Sequence, residues 1–246
     1  CPAFSYLPAQ DSTAVARLRA AGAIVIGKTN LDQFATGLVG VRSPYGIPKN
    51  PVRADLVPGG SSSGSAVGVS AGLVPLAVGT GTAGSGRVPA MLNNIVGLKP
   101  SLGLISNAGL VPACRTLDCI SVFSLTVDDA MTALQAMAGP DQADPFSRER
   151  PLGGMTAFPA KLRLGIPRNG QLIFFGDHAA QPYTLCSAGD PPTQCVSRNV
   201  SALARDHFAA SASVSQFSGV ISAGVMYISC NCVPLPKNAR ISDRRM

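Results

Sequence analysis

The sequence predicts an α/β fold, a mixed β-sheet flanked by helices, and three helix-then-strand repeats predict it. A capped helix over Thr13–Ala20 leads into an apolar run at Ala23–Ile26. A small-residue helix over Ser65–Leu73 leads into Leu76–Thr80, and a short helix over Val88–Asn93 leads into Ile95–Leu98. Composition agrees: of 246 residues, 46% are hydrophobic and 13% charged, which suits a chain with a buried core and excludes a disordered one.

Taken in order, the first helix has Asp11 or Ser12 as its cap, Val15, Leu18 and Ala21 on one face, and Gly22 as its stop. The next stretch, Gly22-AIVI-Gly27-Lys28-Thr29, fits the letters of the phosphate-binding pattern GxxxxGK[ST]. That pattern needs a flexible loop between its glycines, and here the intervening residues are themselves the strand. A short helix over Leu31–Thr36 follows, then a long Gly/Pro-bearing loop over Gly37–Pro58, whose polar members include Arg42, Ser43 and Tyr45. Gly109–Phe123 is interrupted by proline, and Arg115 and Asp118 are spaced to form a local ion pair. Thr126–Ala138 is a capped amphipathic helix, acidic in its first turn and stopped by Gly139-Pro140. A charged linker runs from 141 to 154, and Leu162–Ile166 reads as a further strand.

The stretch that carries chemistry is Gly59–Arg87, GGSSSGSAVGVSAGLVPLAVGTGTAGSGR. Glycines and serines at both ends predict tight turns, joined by a closely packed helix and a buried strand. That arrangement brings hydroxyls together beside backbone N–H groups freed to hold an anion. The letters GxSxG also occur, with Ser62 central between Gly60 and Gly64. A nucleophile elbow needs a strand directly before it, and Pro58-Gly59 stands there instead.

Other classes find less support. The net charge of +7 is spread singly apart from Arg244 and Arg245, and stacking aromatics are few, so a nucleic-acid partner is not expected. Seven cysteines at irregular spacing and two histidines match neither a disulfide framework nor a metal site, so no metal and no cofactor are expected. The longest apolar candidate, Val220–Cys232, is short and broken by Ser and Asn, and no membrane role is expected. Cys1 stands where an initiator methionine is expected, so the chain reads as a piece of something longer, in a cytoplasmic setting.

The paired GGSS and GSGR elements resemble the amidase signature family of serine hydrolases. The resemblance implies Ser85 as nucleophile and Ser61, on a cis peptide after Gly60, as the bridging serine. It implies the N–H groups of Thr82, Ala83, Gly84 and Ser85 as oxyanion hole, with Ser62, Gly60 and Arg87 in support. GKTNLDQFATG, RSPYG and PACRTLDCISVF are similar to the allophanate hydrolase branch, from Cys1 to about Asp177. That branch implies a metal-free, cytosolic, often homodimeric enzyme acting on a small anionic amide. The expected division is therefore a partial amidase signature domain over 1–177 and a divergent, aberrant or disordered tail over 178–246.

The chain departs from the family at three places. The triad lysine is implied upstream of the CPAFSY stretch, outside this chain, which leaves Ser61 without a base and the activity impaired. Gly81 replaces an acidic residue in the usual GTDTAGS loop. After His178 no Tyr has an Arg at the interval that the family uses for a substrate carboxylate. Two further readings stand beside the amidase one: an inactive truncated fragment or paralogue, and another amidase such as a glutamine-hydrolysing transamidase subunit.

Overall fold

The structure is a computed structural model, and it describes residues 1–153 and 225–228. The chain divides into two units, Cys1–Leu152 with Val220–Met246, and Gly153–Gly219. The strand expected at Leu162–Ile166 lies outside the described residues, as does most of the expected tail.

Helix α1 (Thr13–Ala20) starts at Ser12, whose hydroxyl accepts the Val15 N–H at 3.4 Å, and ends before Gly22 at φ 93°. Strand β1 (Ile24–Lys28) follows. Gly27 and Lys28 both belong to this strand and pair in the sheet, so the GxxxxGK[ST] letters form no loop. Helix α2 (Ser63–Ser70) begins two residues earlier than expected and leads to β2 (Leu76–Thr80). Helix α3 (Val88–Leu92) and β3 (Val96–Leu98) repeat the pattern. Two strands were not expected: β4 (Ile120–Ser124) and β5 (Val225–Ile228). Helix α4 (Val127–Met137) is capped by Thr126, which accepts the Asp129 N–H at 3.1 Å.

The sheet order is β1-β5-β2-β4-β3. It is mixed: β5 runs parallel to both β1 and β2, while β4 pairs antiparallel with β2 and β3. All five residues of β4 are buried, so its pattern shows no alternation. Such a strand, covered on both faces, is hard to distinguish from any short apolar run.

Each face carries its own helices. On one, Val15, Leu18, Leu134 and Met137 from α1 and α4 pack over Val78, Ile120 and Val122. Arg17 binds α1 to the end of α4, donating to the Met137 and Gly139 carbonyls at 2.9 Å each and to the Pro140 carbonyl at 2.7 Å. Of these, the Met137 carbonyl is in the last turn of α4, where helix carbonyls lack an intrahelical partner. On the other face, Ala66, Val69 and Ala90 from α2 and α3 pack against Ala77 and Phe123. Small residues let α2 come close: a Cβ on Gly79 would lie 2.8 Å from the Phe123 ring and 2.4 Å from Ser62 Oγ.

The helix expected over Leu31–Thr36 is instead a 3-10 turn, Gln33–Ala35, with Phe34 and Ala35 at φ 54° and 57°. The backbone turns back because Gln33 N–H donates to the Arg42 carbonyl while Asp32 takes the returning loop on its side chain. No helix among the described residues is long and apolar enough to cross a membrane.

Candidate active site

Two turns meet at the carboxyl end of β2. Ser62 staples them: its hydroxyl accepts the Thr80 N–H at 3.1 Å and donates to the Thr80 carbonyl at 3.3 Å. Gly59 packs so closely that an added Cβ would lie 2.7 Å from Pro89 Cα. The turn holding Ser61 therefore touches the chain on both sides of Ser85, at Thr80 before it and Pro89 after it. Ser61 is 0% exposed and Ser85 4%. The Gly60–Ser61 peptide is cis. The Ser61 hydroxyl has no hydrogen-bond partner among the described residues.

In the loop from Gly81 to Arg87, carbonyls and N–H groups are used unequally. The Ala83 carbonyl accepts Arg87 Nη2 at 2.5 Å, and the Gly84 carbonyl accepts the N–H groups of Arg87 and Val88 at 2.8 Å. By contrast, the N–H groups of Thr82, Ala83, Gly84 and Ser85 enter no hydrogen bond among the described residues. Of these four residues Ser85 is buried, Thr82 and Gly84 are half-buried and Ala83 is exposed, so the donors lie along an open edge of the loop. Consecutive N–H groups of this kind form a concavity suited to an anion.

Neighbours hold this loop in place. Thr82 Oγ1 donates to Asp118 Oδ1 at 2.5 Å, and Asp118 also accepts the Ala113 and Cys114 N–H groups at 3.0 Å. The expected Arg115–Asp118 ion pair is absent: the described ion pairs are Arg19–Asp11 and Arg53–Asp55. Asp118 is 3% exposed and turned inward to backbone donors and Thr82, whereas Arg115 stays exposed. The Gly81 N–H donates to the Cys119 carbonyl at 2.7 Å. Burial pushes the Cys119 thiol up to about 11, so it stays neutral and is not a nucleophile.

Gly81 occupies a crowded corner. A Cβ there would lie 2.6 Å from Ser121 Oγ and 2.9 Å from Lys99 Cγ. Ser121 Oγ is itself buried without a partner. The φ of Gly81 is outside the left-handed region, so space rather than backbone conformation favours glycine.

Of the residues expected from the sequence, Gly60, Ser61 and Ser62 lie on one turn and Thr82 to Ser85 and Arg87 on the other, and the two segments touch through Ser62 and Thr80 and through Gly59 and Pro89. Ser62 is spent on Thr80 and stands at the start of α2 with no strand before it, so it is no elbow nucleophile. Sequence reasoning missed Asp32 and Asp118. The signal available was an acid set among apolar neighbours, LDQF and TLDC, which is uncommon at a solvated surface.

Buried Ser85 thus closely follows N–H donors that have no partner among the described residues, on a mixed sheet covered by helices. The chain belongs to the Amidase family, whose model matches residues 3–181. It is 56% identical over 169 residues to the urea amidolyase of Lachancea kluyveri, a match taking in 68% of this chain and 9% of that protein. It is 46% identical over 168 residues to one subunit of the glutamyl-tRNA(Gln) amidotransferase of Syntrophobacter fumaroxidans, over 67% of this chain and 35% of that one. The solved allophanate hydrolase of Kluyveromyces lactis superimposes with a TM-score of 0.60 at 58% identity, covering 61% of this chain and 25% of that chain. The chain therefore spans a minor part of each of these relatives.

Proposed function

We propose that the chain carries the nucleophile-bearing part of an amidase that cleaves the C–N bond of a small anionic amide, allophanate in the first instance. The observation that carries this reading is the run of N–H donors without partners among the described residues from Thr82 through Gly86, which includes buried Ser85. Ser85 Oγ attacks the amide carbonyl, and the resulting oxyanion accepts hydrogen bonds from the Thr82–Ser85 N–H groups. The Ser85 proton passes to Ser61 Oγ as Ser61 gives its own proton to a base. The C–N bond then breaks, ammonia leaves with that proton, and water hydrolyses the acyl-enzyme.

The base is an amine that the described residues do not place at Ser61. Lys28 is exposed at the end of β1, and Lys99 donates to the Pro100 carbonyl at 2.9 Å. A lysine from a preceding segment fills the role in this reading, and the chain alone is then a slow catalyst. The PACRTLDC segment favours allophanate over glutamine.

Ammonia release from allophanate, glutamine and a simple amide tests the proposal, using the full chain with and without a lysine-bearing upstream segment. The expected result is weak turnover of allophanate that rises on adding the segment and disappears in Ser85→Ala. Preference for glutamine moves the assignment to the transamidase type. Absence of turnover under both conditions leaves an inactive fragment as the correct reading.

A further inference from the structure

We propose that Asp32 is a positioning residue for the Ser61 turn, and through it for proton transfer from Ser85; this rests on the reading of Ser61 as the bridging serine. Asp32 is a carboxylate with 0% exposure and no cationic partner among the described ion pairs. A charge so placed persists only where hydrogen bonds replace its water. Its two oxygens share that role, for Oδ2 accepts the Gly40 N–H at 3.0 Å and Oδ1 the Arg42 N–H at 2.8 Å.

The same residue grips the serine turn. Asp32 N–H donates to the Ser61 carbonyl at 2.9 Å, and the loop it folds back returns Leu38, whose carbonyl accepts the Gly60 N–H at 2.8 Å. A Cβ on Gly60 would lie 2.2 Å from Asp32 Oδ2 and 2.6 Å from Gly40 N. One on Gly37 would lie 2.5 Å from the same oxygen. The carboxylate thus sits between two glycines, filling the space that their missing side chains leave. Ser61 Oγ, by contrast, has no partner to fix it. Its position is set by its backbone, and the backbone is held by Asp32 on one side and by the Ser62–Thr80 staple on the other. A displacement of about 1 Å in a proton-transfer group is enough to cost about 10²-fold in rate.

The substitution Asp32→Asn isolates this role. It keeps the side-chain shape against Gly37 and Gly60 but turns one acceptor into an N–H₂ donor facing an N–H donor. Asp141→Asn serves as the control, because Asp141 accepts Thr13 and Ser106 hydroxyls at 2.6 and 2.5 Å, at the start of α1. The measurement is the rate at which phenylmethanesulfonyl fluoride modifies Ser85 in the full chain joined to the lysine-bearing upstream segment, read by peptide mass spectrometry well below each variant's melting temperature. The expected result is at least a tenfold slower modification in Asp32→Asn, with the wild-type rate in Asp141→Asn. Wild-type modification of Asp32→Asn, or an equal loss in Asp141→Asn, overturns the positioning role and leaves the amidase reading intact. No modification of Ser85 in the wild type overturns both.

If Asp32→Asn does not fold, hydrogen exchange in the wild-type chain carries the test. The amides of Asp32, Gly40, Arg42 and Gly60 are expected to exchange together and at least a hundredfold more slowly than that of Gly46. Exchange of the Gly40 and Arg42 amides at the Gly46 rate shows that no clamp exists.

Discussion

The two serine turns are built by opposite rules. In the Gly59–Ser62 turn the anchors are the Gly60 N–H on Leu38, the Ser61 carbonyl on Asp32 and the Ser62 hydroxyl on Thr80, while the Ser61 hydroxyl has no partner among the described residues. In the Gly81–Arg87 loop the anchors are the Gly81 N–H on Cys119, the Ala83 and Gly84 carbonyls and the Thr82 side chain, and the N–H groups from Thr82 through Ser85 are what remain open. A proton relay needs one atom held in place, so everything around it is tied down. An anion receptor needs several donors left free, and here the Ala83 and Gly84 carbonyls are engaged instead. The same residue types, Gly and Ser, serve both purposes because a small side chain lets backbone groups approach closely.

Breaking the contrast outright requires only Ser85→Ala, which leaves both turns folded but removes the nucleophile. Amide turnover by the chain supplied with its upstream segment should fall by at least about 10³-fold, measured as ammonia release. The receptor loop's anchor comes next. Asp118→Ala should leave the Ala113 and Cys114 N–H groups and the Thr82 hydroxyl without their acceptor, costing about 2–4 kcal/mol of stability in urea unfolding, since unmet buried donors cost about 1–3 kcal/mol each and some regain water. Arg115→Ala, on the same segment, should change stability by less than about 0.5 kcal/mol. A loss as large as that of Asp118→Ala would show that the ion pair exists after all.

A smaller effect is expected at the corner beneath the receptor loop. Gly81→Ala should destabilise by about 1–2 kcal/mol, because its Cβ overlaps Ser121 Oγ. Ser121→Ala should be neutral or slightly stabilising, because the hydroxyl it removes is buried and unpaired. In the double variant the cost at Gly81 should shrink, and a double-mutant cycle by thermal unfolding reads the coupling.

A further prediction serves as a control away from both turns. The Asp141 carboxyl is held low, at about 2, chiefly by the Ser106 hydroxyl and then by that of Thr13. A carboxylate lowered on folding contributes stability above its unfolded value, and that contribution is lost as pH falls. The loss should therefore run from the usual carboxylate value of 3.8 down to about 2, and Asp141→Asn should flatten the stability profile there. Ser85 modification at neutral pH should not respond.

Local features were legible because their causes are local. Ser12 and Thr126 cap the helices they precede, Gly22 ends one of them, and β2 has the bounds its apolar run predicts, since caps and periodicity act within a few residues. The serine turns were legible too, because their glycines and serines sit in one continuous stretch of 29 residues, from 59 to 87. Strand β4 was hidden by burial on both faces, and β5 by its distance along the chain from the β1 and β2 strands that it separates.

By itself the sequence determined the α/β class, the capped helices and the pair of serine turns, all of which follow from short-range backbone preference. Only the tertiary structure decided what Asp32 and Asp118 do. A carboxylate acquires a role through the donors that surround it, and here those donors come from loops folded back across the site: Gly40 and Arg42 for one, Thr82 for the other. No spacing along the chain encodes which N–H a buried acid will meet, because that is settled by which segments pack together.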